Sequence, residues 1–187
     1  FIGGLLADQI GYRNIFFVTA VLGAAATLLV ILLVQEDQPP PEETKAPGFF
    51  SNFRFIFASP TLITIFVAGM IAQTAILAIQ PVLSLFVEKL WGKTENLSTL
   101  AGGIFAITGF ASLLAAPFWG RKSDRMGYKK ILSLNLLWAG ITCAPQAFAQ
   151  QISQLFILRF VHGLFIGGVL PALNTLTTLN SPEDRRG

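Results

Sequence analysis

Charged side chains are missing from four long stretches of the chain, Ile15 to Val34, Leu97 to Trp119, Ile131 to Leu158 and Phe160 to Pro182, and apolar residues dominate each. Every stretch reaches the ~20 residues an α-helix needs to cross a hydrocarbon core. A further apolar segment opens at Ser59-Pro60, with proline near the first turn, where a missing amide costs least, and runs to about Val87. Pro81 inside that segment predicts a kink. The pattern therefore predicts spanning helices over 14–34, 59–87, 97–119, 131–149 and 155–179, with residues 1–7 as the end of another. Asn14 is expected to cap the first of these by accepting from an unpaired amide.

The polar segments between the runs differ in kind. Residues 35–48 place Glu36, Asp37, Glu42 and Glu43 among Pro39, Pro40, Pro41 and Pro47, a composition that neither packs nor continues a helix and reads as a solvated linker. Aromatic residues surround Arg54 between Phe49 and Phe57, as expected of a segment at headgroup level. The division that follows is 1–34, a linker at 35–60, and 61–187. Taken alternately, the turns place Lys45, Arg54, Arg121, Lys122, Arg125, Lys129, Lys130, Arg185 and Arg186 on one side and only Arg13, Lys89 and Lys93 on the other. The first side should be cytoplasmic.

Composition agrees with an all-α membrane protein: hydrophobic residues make up 53% and charged ones 12%, about half the ~25% usual in a soluble domain. The formal charge of +3 is explained by basic residues at helix ends, without nucleic acid. Cys143 is the only cysteine, which excludes an internal disulfide or a cysteine zinc cluster. No cofactor or metal site is expected. The first residue is not Met and the last segment is a basic turn, so the chain is expected to be a piece of a longer one.

One turn is unusual: Gly120-Arg121-Lys122-Ser123-Asp124-Arg125-Met126-Gly127-Tyr128-Lys129-Lys130 sets an acid among bases and frames it with glycines. It resembles the major facilitator superfamily signature G-x-x-x-D-R-x-G-R-R/K, found between family helices 2 and 3 and, more loosely, between 8 and 9. Gly120, Asp124, Arg125, Gly127 and Lys130 match, and Tyr128 departs where Arg is common. Gly3-Gly4 is similar to the end of the helix 5 antiporter motif, G-P-x-x-G-G. Leu155-x-x-x-Arg159-x-x-His162-Gly163 is similar to the helix 4 pattern L-x-x-x-R-x-x-Q-G, here at the position of helix 10 with His replacing Gln. The resemblance covers nearly the whole chain and implies a twelve-helix bundle, of which this would be the end of helix 5, helix 6, the linker between halves, and helices 7 to 10.

The resemblance further implies that Asp124 is a conformational latch on a helix terminus of the other half, held in place by its basic neighbours, with Gly120 allowing close helix approach and Gly127 a tight turn. Arg159 lies in an apolar run, and two readings stand open: an interior functional charge, or a side chain snorkelling to the interface. Gly163 and Gly167, like Gly3 and Gly4, suit helix packing. His162 reads as a hydrogen-bonded interior residue or a proton carrier. On helix 7, Gly69, Gln73, Gln80 and Ser84 share a face. With Arg159, His162 and Asn174, Gln73 and Gln80 are the candidate residues of a substrate cavity, with interhelical hydrogen bonding as the alternative.

All ten acidic residues lie in turns or the linker, so a coupling acid is expected outside this segment. No P-loop pattern occurs, and the segment supplies no ATPase motor. With one His, one Cys and no carboxylate inside a run, an enzyme has no convergent catalytic set and no catalytic residue is nominated. The resemblance implies alternating-access transport, foremost proton-driven efflux of lipophilic small molecules from a plasma or inner membrane. A transporter of a specific metabolite or sugar is the alternative, and a non-transporting sensor a more remote one.

Overall fold

A computed structural model describes residues 1–34, 55–93 and 95–181. Residues 35–54 of the predicted linker, with most of the predicted aromatic segment, lie outside them. The ordered elements are α1 (Ile2–Ile10), α2 (Tyr12–Leu33), α3 (Pro60–Trp91), α4 (Leu97–Met126), α5 (Tyr128–Cys143), a 3-10 turn (Ala144–Phe148), α6 (Ile152–Ile166) and α7 (Val169–Asn180). Five helical segments are long and apolar enough to span a membrane: α2, α3, α4, α5 with its 3-10 turn, and α6 with α7. Helix is what a buried apolar backbone requires, since a bilayer offers no water to its amides and carbonyls.

Local chemistry sets the ends. Ser59 accepts from the Leu62 amide at 3.4 Å and Pro60 is the first residue of α3, which passes through Pro81 unbroken to a left-handed Gly92. Glycines with positive φ, Gly11 at 84° and Gly127 at 92°, make the two tightest turns. Three expectations change in detail. Asn14 does not accept; its amide donates to the Ile10 carbonyl at 2.7 Å, and α2 already begins at Tyr12. The basic turn is mostly helix, because residues 120–126 are the last turns of α4 and Gly127 alone reverses the chain. The helix from Ile131 tightens to 3-10 geometry after Cys143, where Pro145 cannot donate to Ile141.

The last span breaks at Gly167-Gly168, where the sequence predicts one continuous helix. Pro171 has no amide for the Gly167 carbonyl, and its ring crowds that carbonyl. Gly168 donates to Phe165 at 3.3 Å, leaving the Leu164 carbonyl without its usual helical partner. The Trp119 indole supplies one at 2.6 Å, and Ser112 Oγ adds a bond to the Gly163 carbonyl at 2.9 Å. A break inside apolar surroundings is thus satisfied by side chains of α4.

Helices α3 to α7 share the core. Leu83 and Val87 of α3 pack with Ile104 of α4, Ala149, and Leu155 of α6, while Ala72 of α3 packs with Leu132 of α5 and Val169, Ala172 and Leu173 of α7. Along α4 and α6 the backbones nearly touch: a Cβ on Gly163 would lie 2.4 Å from the Thr108 carbonyl oxygen, and one on Gly167 2.4 Å from that of Ser112. Dispersion and close backbone approach, not hydrophobic exclusion from water, hold such a pair in lipid. By contrast α2 has no buried residue.

Candidate functional site

Between α3 and α7 runs a cavity of about 590 Å³ lined by Phe66, Gly69, Met70, Gln73, Leu173 and Asn174, among others. Of the residues nominated from sequence, Gln73 and Asn174 meet here, from helices distant in the chain. The walls are mostly apolar, with the amides of Gln73 and Asn174 and the hydroxyl residues Thr177 and Ser181 as the polar lining, the pattern of a pocket that holds a lipophilic molecule and orients it with few hydrogen bonds. Gln80 does not line this cavity. Its carbonyl accepts from Ser84 Oγ at 3.3 Å within α3, and its side chain is exposed.

Arg159 and His162 are elsewhere. Both are buried among the helices, at 3% and 6% exposure, so of the two readings of Arg159 the interior one describes its position and the snorkelling one does not. His162 Nδ1 lies 3.1 Å from Thr142 Oγ1. The Thr142 hydroxyl has a single proton, and with that proton on the Trp138 carbonyl at 2.7 Å it accepts from His162. Gln146 Nε2 donates to the Thr142 carbonyl at 3.1 Å. Among the described residues, Arg159 Nε and Nη2, Gln146 Oε1 and both side-chain polar atoms of Asn135 lack a hydrogen-bond partner. This polar interior was only partly visible in the sequence: Asn135 and Gln146 sit in apolar runs and carry no motif.

At the basic end of α4, Asp124 is exposed and accepts from the Tyr128 hydroxyl, one turn on across Gly127. The residue that departs from the family pattern is therefore the one that engages the acid. The Lys122 ammonium lies 5.2 Å over the Phe118 ring and 5.8 Å from that of Trp119. Gly120 has nothing within 4 Å of an added Cβ, so among the described residues no helix lies close against it.

The other end of α4 carries an arrangement that the sequence did not reveal. Asn96 precedes α4 with φ 57° and makes no side-chain cap. The cap comes instead from α1: Asp8 Oδ1 accepts from the Ser98 amide at 3.2 Å, and Oδ2 from the Thr99 amide at 2.8 Å and the Thr99 hydroxyl at 2.6 Å. Tyr12 adds a hydroxyl contact to Ser98 at 2.8 Å. Desolvation pushes the Asp8 carboxyl upward, but the bonds from Thr99 and then Ser98 outweigh it and hold the group below its ordinary value of 3.8. Gly4 makes the approach possible, since a Cβ there would fall 2.1 Å from the Ser98 carbonyl oxygen, whereas Gly3 has nothing within 4 Å.

Bundled apolar helices with lipid-length spans define a multi-pass helical membrane protein. The profile of the Major Facilitator Superfamily matches residues 1–112 and again residues 75–187, and the chain belongs to that family. It is 35% identical over 189 residues to the multidrug resistance protein MdtG of Dickeya zeae (strain Ech586), with 100% of this chain and 46% of that protein aligned. It is equally 35% identical over 188 residues to an uncharacterized MFS-type transporter, YuxJ, of Bacillus subtilis (strain 168), with 100% of this chain and 48% of that protein aligned. MdtG of Klebsiella pneumoniae (strain 342) is 36% identical over 185 residues, 99% of this chain and 45% of the relative. The chain thus spans about half the length of the curated relatives it matches. No solved structure matches it.

Proposed function

We propose that the protein containing this chain is a secondary transporter that exports lipophilic small molecules by alternating access, with the α3–α7 cavity as part of the substrate path. The observation that carries the reading is the meeting of Gln73 and Asn174 in an apolar cavity, in a chain of this family with relatives named as multidrug resistance proteins. A few polar side chains on mostly apolar walls favour a broad set of hydrophobic compounds over one highly hydroxylated metabolite, whose many polar groups would need many partners.

The distribution of Lys and Arg supports a cytoplasmic position for the linker and for residues 120–130, in a plasma or inner membrane. Protons are the proposed coupling ion, with the acid that carries them outside this segment. Residues 1–34 and 61–187 belong on this reading to two halves joined by the linker, and Asp124 serves as a latch at the cytoplasmic end.

The test uses the full-length transporter in cells whose own efflux is disabled. Retention of several chemically distinct lipophilic dyes is measured with and without a proton gradient. Expression should lower retention of more than one dye, and collapse of the gradient should restore it. Unchanged retention of every dye, with the protein present in the membrane, overturns the efflux reading.

A further inference from the structure

Gly69 stands on the α3 wall of the cavity, and neither its backbone nor its packing requires a glycine. The close glycines of the α4–α6 seam are imposed by main-chain contact, since an added Cβ would lie 2.4 Å from the Thr108 carbonyl oxygen at Gly163 and 2.4 Å from that of Ser112 at Gly167. On Gly69 an added Cβ would meet only the two terminal methyls of Leu173, both at 3.7 Å, which is ordinary contact. Alanine would fit there and is the better helix former. Glycine leaves instead a recess one methyl deep between α3 and α7. We propose that Gly69 and Leu173 form a slot that sets the width of molecule the cavity accepts, admitting the edge of a fused aromatic ring system that a side chain at residue 69 would turn away. The inference rests on the reading of this cavity as part of the substrate path.

Successive spans alternate in direction, so α3 and α7 run antiparallel and the Gly69–Leu173 pair divides the cavity. Thr177, one turn past Leu173, lies on one side with Phe66, and Gln73, one turn past Gly69, lies on the other with Leu170. A molecule lying across the pair finds a hydroxyl at one end and an amide at the other. The two faces of the slot are also the stiffest parts of the lining. One is the main chain of α3. The other is Leu173, 7% exposed and packed with Ala72, Leu132, Val169 and Ala172. Phe66 and Met70 stand clear of the core at 59% and 58% exposure and have room to turn aside. Walls that adapt tolerate many shapes, whereas a backbone facing a core-packed side chain resists deformation and selects among them.

The amides do not supply this selection. Their hydrogen bonds are open to slim and broad molecules alike, and discrimination by width needs a steric limit. A single methylene in an apolar pocket changes preference about ten- to two-hundredfold, so one methyl at residue 69 is enough to register. A glycine that served only to let α3 and α7 pack would act differently: its replacement would alter stability and affect every bound molecule to the same extent.

The experiment uses the full-length transporter purified in detergent and uncharged naphthalene-, anthracene- and pyrene-based dyes matched in hydrophobicity. Affinity is read from the dye concentration that half-maximally raises the unfolding temperature, and partition into the micelle cancels because all variants are compared in one detergent. Gly69→Ala should weaken pyrene binding relative to naphthalene by about tenfold, the low end for one methylene, without lowering the unfolding temperature of the dye-free protein. Leu173→Val, which shortens the facing side chain, should shift the preference the opposite way, and the two changes together should return it towards the parent's. A pyrene-to-naphthalene ratio that is the same in the parent and both single variants overturns the slot, as does a parent that binds none of the dyes. Should Gly69→Ala fold poorly, Leu173→Val decides alone by the direction of its shift. Export of the same dyes is followed in cells whose own efflux is disabled. Width-selective binding without export would sustain the slot and overturn the efflux reading, whereas export with an unchanged ratio would overturn the slot alone.

Discussion

Two aspartates stand at the two ends of α4, and the same side chain has opposite circumstances. Asp8 is contributed by another helix, accepts from two backbone amides and a hydroxyl, and sits over a glycine that admits backbone contact. Asp124 belongs to α4 itself, bonds to the Tyr128 hydroxyl, and lies near a glycine with open space around it. An engaged carboxylate lends stability to this segment; one bonded only within its own turn adds little to it, whatever it does when the rest of the bundle is present. The comparison separates where a charged motif stands in sequence from where it bears on structure.

The largest effect that would break this comparison comes from the glycines. Gly4→Val puts side-chain atoms where the Ser98 carbonyl already is and should cost about 1–3 kcal/mol or more, read as a drop in thermal unfolding temperature in detergent. Gly120→Val should be close to neutral by the same measurement, unless helices beyond the described residues pack there. Equal losses at the two positions would show that the ends are not different in kind.

Next in size are the aspartates. Asp8→Ala should lower stability by about 0.5–1 kcal/mol, the low end for a lost cap because the site is exposed. Asp124→Asn should leave the unfolding temperature alone and reduce dye efflux at equal abundance. A stability loss at Asp124 larger than that at Asp8 would reverse the assignment. Smaller again is Tyr128→Phe, which removes one fully exposed hydrogen bond and should leave the unfolding temperature where it is in the parent. Its informative readout is efflux, since freeing Asp124 from its neighbour alters the latch without touching the fold.

The smallest effect sharpens the comparison through pH. A carboxyl held below its ordinary value contributes stability that is fully present above 3.8 and is lost as pH falls through the lower folded value. Lowering the pH from about 7.5 to about 5.5 should therefore leave the difference in unfolding temperature between the parent and Asp8→Ala unchanged, because Asp8 stays ionised throughout. A pronounced change in that difference over the interval would mean that a different group titrates at this end of α4. The cavity prediction is independent of both ends: Gln73→Ala and Asn174→Ala should change the relative retention of dyes, and Gln80→Ala should scale all of them alike. Identical dye profiles in all three variants would remove the amides from the substrate path.

Much of the fold could be read from charge-free runs, because a span is a one-dimensional property: length, apolarity and polar ends place α2, α3, α5 with its 3-10 turn and the α6–α7 span within about four residues, while α4 runs on through the basic turn to Met126. What eluded that reading depends on contacts between distant residues. The break at Gly167-Gly168 had a local signal in the paired glycines and Pro171, yet its compensation by Trp119 and Ser112 of α4 had none. Asp8 lay in a turn rich in polar residues, and nothing near it in sequence pointed to Ser98 and Thr99 about ninety positions away. Gln73, Gln80 and Asn174 were nominated together for one cavity; Gln73 and Asn174 line a common one, while Gln80, on the same stripe of α3, lies outside it because the stripe runs on past the point where α7 faces α3. Arg159 and His162 followed their motif to the interior, where the pattern could not say which helices would surround them.

The bareness of α2 has a consequence for biosynthesis. Its two threonines, Thr19 and Thr27, return their hydroxyls to the carbonyls of Ile15 and Gly23, so the helix satisfies its own polar groups and can cross the bilayer before any partner arrives. Neither hydroxyl offers its proton to a neighbour. Gly23 to Ala26 is the slimmest length of the helix, one full turn of small residues at which a neighbouring backbone could come closest.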